Sequence, residues 1–483
     1  MLNRDKGFTM SDRNSPGDDI ARASLDWWST FARMCEVAWT RQCGRDAIVA
    51  ATAQRTADII RFTREHSRFY RDAWSRLPAD AVALETLPIV HRRDLMARFD
   101  DWVTDRTVTR RGINAFLRNK TRVGTPFLDR FVVWKSSGSS GEPGIYVQDI
   151  FALTTYDALL AVQIHAGTLA GPYAQGVLGQ GGRAALVAAT GDHFASVASW
   201  QRLCRGREWP VARVLSVMDP IGKIVDELNA FKPAFLASYP TTLALLATEQ
   251  REGRLRIAPT CVWSGGECLV PAMAASIEDA FASALVNEYG ASECMSIGYS
   301  CRERWLHVNA DWAVLEPVDR DYRPTPPGEH SHTVLLTNLA NRIQPIIRYD
   351  LGDSVIENPE PCACGSPLPA IRVEGRRDDV LALRARDGHV VRLSPLALTT
   401  VVEDATVGRR FQLVQTGPDL IALRLEARDA RVRDAQWHAA EQALHDYLAL
   451  QSLDNVRLSL DVEPPVVDLR SGKLREVIAS DHA

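Results

Sequence analysis

The feature that most constrains the fold is an alternation, over residues 150–260, of short apolar runs with stretches of helical periodicity. Ala184 to Ala188 and Pro233 to Ala237 are apolar runs of strand length, and Ile221 to Ala230 between them has helical spacing. Such alternation is typical of α/β layers on largely parallel strands, because each parallel connection needs a crossover, usually a helix. We therefore predict an α/β fold of layered sheets and helices.

The two ends of the chain differ from this central region in their pattern of apolar residues. Residues 1–18 contain no apolar signal core and are expected to form a disordered lead. The segment from Asp19 to Ser75 has helical periodicity with few helix-breaking residues. After Gly375 the pattern predicts strands around 380–393 and 411–425, a helix from about Asp434 to Leu450, and a strand near Val456–Leu460.

The chain has 483 residues, which is more than a single core usually holds. We therefore predict at least two folded domains after the lead. The predicted boundaries give a large N-terminal domain over 19–377 and a small α+β C-terminal domain over 378–483, with a change of texture between them.

Charge and hydropathy exclude several classes of function. The net charge is −4 and the arginines are spread along the chain, so no nucleic-acid partner is expected. No run of 18 apolar residues is present, so no membrane span is expected, and a cytoplasmic location is predicted. Nine cysteines without a signal sequence predict reduced thiols, with metal binding as a further use.

A loop rich in serine and glycine follows the short apolar run Phe131 to Trp134. Its sequence, from Ser136 to Gly144, offers hydroxyls and unhindered backbone N–H groups that can surround a polyphosphate. The loop is not a Walker A motif, because Gly-Lys-Ser/Thr is missing. Taken alone, it could equally be a flexible linker.

Three further segments have the residue types of a nucleotide site. The pair Gly265-Gly266, inside Trp263 to Glu267, would let a flat ligand approach the backbone closely. The segment from Asn287 to Glu293 offers a tyrosine to flank a base and a glutamate to hold Mg²⁺. The turn from Arg348 to Asp353 ends in a carboxylate that can accept both ribose hydroxyls. Each segment alone is more often a simple turn or a solvated carboxylate.

Two charged segments complete the series. Gly375 to Asp379 lies where the texture changes, and Ser471 to Arg475 lies almost at the C-terminus. Each by itself would be a surface turn or an exposed tail. The six motifs nevertheless occur in one chain, in one order.

This ordered set resembles the core motifs of the adenylate-forming superfamily of acyl-CoA synthetases, adenylation domains and luciferases. Within the superfamily, the compact phenylacetate–CoA ligase-like branch is the most similar. The resemblance covers roughly residues 55–478, and it includes the stretch Phe62 to Tyr70 followed by Leu87 to Val90. In this chain the Ser/Gly loop continues with Pro143-Gly144, where the family usually has Pro-Lys or Pro-Thr.

The resemblance implies a role for each motif. The phosphates would contact Ser136, Ser137, Gly138, Ser139, Ser140 and Gly141, and the adenine would contact Gly265, Gly266 and Glu267. Beside the adenine and the acyl carboxylate would lie Tyr289, Gly290, Ala291 and Ser292. Asp353 would bind the ribose, and Arg376 would contact the ribose or a phosphate. Glu293 would hold Mg²⁺, Lys473 would contact the carboxylate and α-phosphate, and Asp378 would be the hinge of a mobile C-terminal domain. A cation and an ammonium offset the repulsion between the two reacting anions.

A second constellation consists of soft ligands in two short-spaced pairs. Cys301 and His307 form one pair, and Cys362 and Cys364 form the other. This pattern suits a tetrahedral, closed and therefore structural Zn²⁺ site, with Cys294 as the reserve ligand. Unrelated buried cysteines are the alternative reading.

The predicted activity is ATP-dependent activation of a carboxylic acid, aryl or arylalkanoic, to an acyl-adenylate with release of pyrophosphate. The acceptor is left open between the thiol of CoA and an amine, because the stretch Arg384 to His389 has only one glycine where CoA ligases of the family commonly have several. A non-catalytic relative is the third reading, disfavoured by Glu293, Asp353 and Lys473 at their motif positions. A homodimer is also left open.

Overall fold

The computed structural model describes residues 27–78, 83–136, 143–164, 181–204, 212–266, 269, 271–373, 381–393, 395–406, 411–427, 429–466 and 476–479. The predicted lead, residues 1–18, lies outside these ranges. The structural statements that follow concern the described residues.

Helices dominate the N-terminal third and then alternate with strands. The helices are α1 (Trp27–Gln42), α2 (Arg45–His66), α3 (Arg68–Ala73), α4 (Arg92–Ala97), α5 (Phe99–Trp102), α6 (Arg110–Leu117), α7 (Ile150–Ile164), α8 (Ala195–Cys204), α9 (Ile221–Phe231), α10 (Pro240–Arg251), α11 (Pro271–Phe281), α12 (Pro395–Thr406) and α13 (Ala430–Leu450). Short 3₁₀ turns occur at Leu84–Thr86 and Lys120–Arg122.

The strands of the larger, N-terminal part are β1 (Val132–Lys135), β2 (Ile145–Gln148), β3 (Ala184–Ala188), β4 (Ala212–Ser216), β5 (Phe235–Ser238), β6 (Cys261–Gly265), β7 (Ala284–Ala291), β8 (Cys294–Ser300), β9 (Leu306–Val308), β10 (Ala313–Val318), β11 (Thr333–Asn338), β12 (Tyr349–Asp350), β13 (Val355–Glu357) and β14 (Ala370–Val373). Those after residue 380 are β15 (Leu381–Arg384), β16 (Val390–Leu393), β17 (Phe411–Gly417), β18 (Leu420–Leu425), β19 (Arg457–Leu460) and β20 (Val477–Ile478).

One nine-stranded sheet organises the larger part, in the order β13-β14-β9-β8-β7-β6-β5-β3-β4. Its strands from β4 to β7 are parallel, and those from β8 to β13 are antiparallel to their neighbours. The predicted parallel α/β region is therefore confirmed, and it is extended by an antiparallel edge. The hairpin β1–β2 and the three-stranded sheet β10-β11-β12 complete this part.

Helix α9 shows how the sequence produces the crossovers. Ile224, Val225, Leu228 and Phe231 are buried on one side at spacings of one, three and three residues. The helix ends at Lys232, which adopts a left-handed conformation with φ of 51°. The chain then turns directly into β5, which pairs in parallel with β3.

The residues after 380 form a smaller α+β arrangement. The hairpin β15–β16 and the four-stranded sheet β19-β18-β17-β20 pair only among themselves in the described ranges, with α12 and α13 packed together. Residues 374–380, which contain the expected boundary, lie outside the described residues. The boundary at 377/378 therefore remains a prediction. No described helix is long and apolar enough to span a membrane.

Candidate active site

The hairpin β1–β2 brings together the two ends of the Ser/Gly loop. The Ser136 N–H donates to the Gly144 carbonyl at 2.9 Å, and the Gly144 N–H donates to the Ser136 hydroxyl at 2.8 Å. Ser137, Gly138, Ser139, Ser140 and Gly141 lie outside the described residues. The structure therefore fixes the base of the loop.

Gly144 has no room for a side chain. A Cβ atom at this position would stand 2.5 Å from the hydroxyl oxygen of Tyr146 and 2.6 Å from its ring. Tyr146 is fully buried and packs its ring edge-on to Trp102. The family usually has Lys or Thr after this proline. In this chain glycine occupies that position because the Tyr146 side chain fills the space that a longer residue would need.

The second, glycine-containing motif lies at the carboxyl end of β6. Gly265 is the cross-strand neighbour of Glu288 on β7, and Gly266 lies against the ring of Tyr239. Glu267 falls outside the described residues. In parallel sheets ligands bind beyond the carboxyl ends of the strands, so this edge is where a nucleotide is expected.

The third motif covers the end of β7 and the turn into β8. The register shifts between Tyr289 and Ala291, and a Cβ on Gly290 would stand 2.1 Å from the carbonyl oxygen of Met295. Only glycine fits such a close approach of two backbones. The Tyr289 hydroxyl donates to Asp353 Oδ2 at 2.9 Å, which joins the third motif to the fourth.

Glu293 lies at the centre of a buried group that we call the central cluster, made of Glu293, Arg92, Tyr146 and Tyr349. Its Oε1 accepts hydrogen bonds from Tyr146 at 2.5 Å and from Tyr349 at 2.7 Å. The Arg92 guanidinium lies 3.8 Å from the same oxygen. Glu293 itself is 4% exposed, so this carboxylate is held by named partners and not by solvent.

The charges of the central cluster support one another. Burial opposes the charge of Arg92, but Glu293 and the two phenols more than compensate and hold the pKa of Arg92 above its ordinary value. Burial, followed by the nearby Glu293 charge, raises the pKa of Tyr146 and of Tyr349. Both phenols therefore stay protonated at neutral pH and act as hydrogen-bond donors.

The backbone around Glu293 is fixed from two sides. The Trp134 indole N–H donates to the Ser292 carbonyl at 2.9 Å, and the Asn338 amide donates to the Glu293 carbonyl at 2.9 Å. Strand β1, which leads into the Ser/Gly loop, is thereby tied to the β7–β8 turn. Ala291 and Ser292 are partly buried beside it.

A second carboxyl, that of the half-buried Glu288, lies on the strand that carries Tyr289. Its Oε2 accepts from the Trp263 indole N–H at 2.9 Å. Burial raises the pKa of Glu288 to about 7, although hydrogen bonds from Trp263, Tyr299 and Ser296 pull in the opposite direction. This carboxyl is therefore poised between its two protonation states near neutral pH.

The four soft ligands of the second constellation meet at the antiparallel edge of the nine-stranded sheet. We call Cys301, His307, Cys362 and Cys364 the edge cluster. Their ligand atoms all lie within 4.8 Å of one another. The cause is strand pairing, because β9 carries His307 and pairs with β14 just after the Cys362–Cys364 turn.

The sulfur–sulfur distance in the edge cluster matches that of a tetrahedral metal site. The sulfurs of Cys301 and Cys362 are 3.7 Å apart, and the sulfur of Cys364 is 3.1 Å from His307 Nε2. Two sulfurs at about 2.3 Å from one Zn²⁺ would stand about 3.8 Å apart. His307 Nδ1 lies 3.0 Å from the Leu368 carbonyl, which can only accept, so Nδ1 donates and Nε2 keeps its lone pair for a metal.

Several predicted site residues lie outside the described ranges. They are Ser137, Gly138, Ser139, Ser140, Gly141, Glu267, Arg376, Asp378 and Lys473. Cys294, the reserve ligand, is buried on β8 and does not belong to the edge cluster.

The sequence interpretation missed Arg92, Tyr146 and Tyr349 as partners of Glu293. Tyr349 lies within the motif Arg348 to Asp353, in which the sequence pattern gave a role to Asp353 alone. Arg92 follows the Leu87 to Val90 stretch, and only an isolated bridge between Val90 and Tyr349 places it near the site. That bridge joins segments far apart in the sequence, so local sequence patterns do not reveal it.

Comparison with known proteins supports the fold. No protein-family model matches the chain, and no curated protein matches it either. A structure of 2-hydroxyisobutyryl-CoA ligase with 2-HIB-AMP and CoA in the thioesterification state matches at 21% identity and a TM-score of 0.51, covering 90% of this chain and 89% of that chain. A second structure of that ligase, in the postadenylation state with R3-HIB-AMP, matches at 20% identity and a TM-score of 0.50, covering 90% of each chain.

These likenesses show that the chain has the fold of adenylate-forming ligases. The fold expected from the sequence motifs is thus confirmed. At 20–21% identity they carry no residue roles, and the phenylacetate–CoA ligase-like branch stays a prediction.

Proposed function

We propose that this protein is an AMP-forming ligase that activates a carboxylic acid as its acyl-adenylate and releases pyrophosphate. The observation that supports this best is the meeting of four separated motifs at one sheet edge. Trp134, Tyr146 and Tyr289 make the connecting hydrogen bonds, to Ser292, Glu293 and Asp353 in turn. Pairing of Gly265 with Glu288 adds the fourth motif.

The resemblance gives each part of this edge a task. We assign the adenine to the Gly265-Gly266 segment, the ribose to Asp353, and the phosphates to the loop whose base is Ser136 and Gly144. Tyr289 holds Asp353 Oδ2 and so orients the carboxylate that would accept the ribose hydroxyls. Arg376, Asp378 and Lys473 keep the proposed roles of nucleotide contact, hinge and adenylation lysine.

We assign Mg²⁺ to Glu293. A carboxylate oxygen is the ligand type that Mg²⁺ prefers, and when bound the ion would offset the negative charge of the phosphates. Tyr146 and Tyr349 donate to Oε1, and together with Arg92 they hold this oxygen in place. Fixing the carboxylate in advance reduces the reorganisation that binding the nucleotide requires.

The edge cluster is proposed to hold one structural Zn²⁺. Two observations support it, the sulfur–sulfur distance of 3.7 Å and the orientation of His307 by the Leu368 carbonyl. Four protein ligands leave no open coordination position, so this ion would stabilise the sheet edge and take no part in the chemistry.

The acid and the acceptor are the finer parts of the proposal. We propose an aryl or arylalkanoic acid, and the thiol of CoA as acceptor, with an amine as the alternative. CoA is tested first because solved structures with this fold contain CoA beside 2-HIB-AMP. A cytoplasmic location is part of the same proposal.

A two-stage assay tests the activity. Purified protein with ATP and Mg²⁺ is supplied with a panel of aryl, arylalkanoic and short aliphatic acids, and acid-dependent pyrophosphate release is measured. The responding acid is then given CoA or an amine, and the acylated product is identified by mass. Absence of acid-dependent pyrophosphate release with the whole panel, from protein that binds ATP, would argue for a non-catalytic relative.

A further inference from the structure

The Ser/Gly loop brings no positive charge of its own to the phosphates that we assign to it. The segment from Ser136 to Gly144 contains neither Lys nor Arg, and it contains one acidic residue, Glu142. The position after Pro143 is a glycine with no room for a side chain. A triphosphate at the base of this loop therefore depends on cations from elsewhere, of which Mg²⁺ at Glu293 would be one.

One lysine lies directly beside the base of the loop. Lys135 is the last residue of β1, immediately before Ser136, and Ile145 on β2 is its cross-strand neighbour. It is the only Lys or Arg between Arg130 and Arg183 in the sequence. Its position places a positive charge on the strand that enters the loop, whereas the family often carries a lysine on the strand that leaves it.

The Lys135 side chain is held by an aspartate that follows β3. Its ammonium pairs with Asp192 Oδ2, and Asp192 Oδ1 accepts a hydrogen bond from the His193 N–H at 2.7 Å. The Asp192 side chain is 8% exposed and that of Lys135 is 27% exposed. An ammonium has three donors, so one bond to Asp192 leaves two for a ligand.

This ion pair is not needed to join β1 to the segment after β3. The backbone makes that connection, since the Lys135 N–H donates to the His193 carbonyl at 2.8 Å and Lys135 forms a β-bridge with Phe194. Taking two charges out of water costs free energy that their mutual attraction often fails to recover, so such a pair is weak evidence of a stabilising role. A further role for the ammonium is therefore indicated.

The pair lies at the edge of the sheet where the nucleotide is expected. Asp192 follows β3, and the Ala189 N–H of the same segment donates to the Tyr239 hydroxyl at 3.3 Å. The Tyr239 ring in turn lies against Gly266, 3.1 Å from the position of a Cβ there. These contacts connect Lys135, through the carboxyl ends of β3 and β5, to the glycine assigned to the adenine.

The neighbouring histidine does not supply this positive charge. His193 is buried, and burial lowers its pKa, so the ring is neutral at pH 7. Its Nε2 lies 3.1 Å from the Asn119 carbonyl, which can only accept, so this nitrogen donates there. The charge beside the base of the loop is therefore that of Lys135.

We infer that Lys135 binds the β- and γ-phosphates of ATP, and that Asp192 positions its ammonium before the nucleotide arrives. The inference rests on the proposed adenylation, which assigns the α-phosphate to Lys473 and leaves the two phosphates beyond it to the base of the loop. An ammonium already held in place needs little reorganisation when it meets the phosphates. Those two phosphates leave together as pyrophosphate, so Lys135 acts on ATP binding and adenylation and not on the later acyl transfer.

Binding of nucleotides with different numbers of phosphates tests the inference. In calorimetry with Mg²⁺ and without the acid, Lys135→Gln should bind ATP about 10- to 100-fold more weakly than the wild type, the loss typical of one hydrogen bond to a charged group. AMP, which lacks the two phosphates, should bind both proteins alike, and Lys135→Arg should recover most of the ATP affinity. The control is Lys223→Gln, which removes an exposed lysine that pairs with Asp219 at 2.8 Å and should leave ATP binding unchanged.

A double variant covers the case in which the single variant is unstable. Lys135→Gln leaves the buried Asp192 carboxylate without its partner, whereas Lys135→Gln/Asp192→Asn replaces both charges of the pair by neutral amides. The double variant should show the same selective loss of ATP affinity. Its acyl transfer from a synthetic acyl-adenylate, which lacks the β- and γ-phosphates, should keep the wild-type rate.

The outcomes separate this inference from the proposed function. A wild type that binds no ATP would overturn both. A wild type that binds ATP, with a double variant that binds it equally well, would overturn the role of Lys135 alone. Equal losses for ATP and AMP would show that the pair is only structural and would also contradict the inference.

Discussion

The central cluster and the edge cluster gather polar side chains in opposite ways. In the central cluster, the Oε1 atom of Glu293 already has two hydroxyl donors and a guanidinium nearby. In the edge cluster, the four ligand atoms all lie within 4.8 Å of one another. The first arrangement orients a carboxylate, while the second has the residue types and proximity of a metal site.

This difference predicts two kinds of sensitivity. Substitutions in the edge cluster should change the free energy of unfolding, because a closed metal site forms only in the folded chain. Substitutions at or near the central cluster should change the rate of adenylation, because electrostatic stabilisation there acts on the reacting phosphates.

The largest effect is expected from Cys362→Ser. Loss of one ligand should remove the zinc and lower the free energy of unfolding by several kcal/mol, because ion binding and folding are coupled. Metal analysis and urea unfolding measure both, with Cys204→Ser as the control outside the cluster. Wild-type protein without zinc would end the zinc proposal, whereas lost adenylation in a fully stable variant would mean that the two clusters are not separate in function.

Lys473→Ala should act on the rate alone. If this lysine offsets the charge of the reacting anions, acid-dependent pyrophosphate release should fall by about 10²–10³. ATP binding should change less, and acyl transfer from a synthetic acyl-adenylate should largely survive, because in the family the lysine has then rotated away. Equal loss in both half-reactions, or normal adenylation, would remove Lys473 from its proposed role.

Gly144→Ala is expected to have a smaller effect that reaches the central cluster indirectly. The new methyl group would displace Tyr146 and break its hydrogen bond to Glu293, at a cost of about 1–3 kcal/mol for a buried group left unpaired. Adenylation should fall by roughly tenfold. Gly222→Ala is the matched control, since nothing lies within 4 Å of its Cβ position.

A double variant sharpens this prediction. If Gly144→Ala acts by moving the Tyr146 hydroxyl, its effect should not add to that of Tyr146→Phe, which removes the same hydroxyl. Full additivity of the two losses in pyrophosphate release would show that Gly144 acts on the phosphate loop directly.

A further prediction concerns Glu288 and pH. Its folded-state pKa of about 7 lies above the ordinary 4.5, so the folded chain favours the protonated form. Stability is therefore lost as pH rises from 4.5 to about 7, and no more is lost above that. Glu288→Gln should remove this slope in urea unfolding curves, and Glu329→Gln, at an exposed site, should not. Parallel slopes in wild type and Glu288→Gln would contradict the assignment.

Local patterns predicted much of the fold. The runs Ala184 to Ala188 and Ile221 to Ala230 became β3 and α9, and the helix expected from about Asp434 begins four residues earlier, at Ala430. Such elements are readable because hydrophobic periodicity is a local property. Local patterns are less informative elsewhere, since Ile346, Ile347 and Arg348 are buried without forming a strand and only Tyr349–Asp350 pairs with β11.

The edge cluster could be predicted from the sequence better than the central cluster, because only the edge cluster has its residues at short spacings. Cys362 and Cys364 are two residues apart, and Cys301 and His307 flank one short turn, so their spacing predicted that they would lie together. The partners of Glu293 lie 56, 147 and about 200 residues away, at Tyr349, Tyr146 and Arg92. No spacing rule joins them, because the β-bridge between Val90 and Tyr349 and the hairpin β1–β2 bring them together only in the folded chain.

The contact between Gly144 and Tyr146 also has an evolutionary consequence. A side chain at 144 cannot appear while Tyr146 keeps its ring in place, since the two would occupy the same volume. The order of substitutions along any lineage is then constrained, with the tyrosine changing first and the loop residue afterwards. Positions 144 and 146 should consequently behave as an epistatic pair, and a saturation library that varies 144 alone would recover few active clones, whereas one that varies both would recover many.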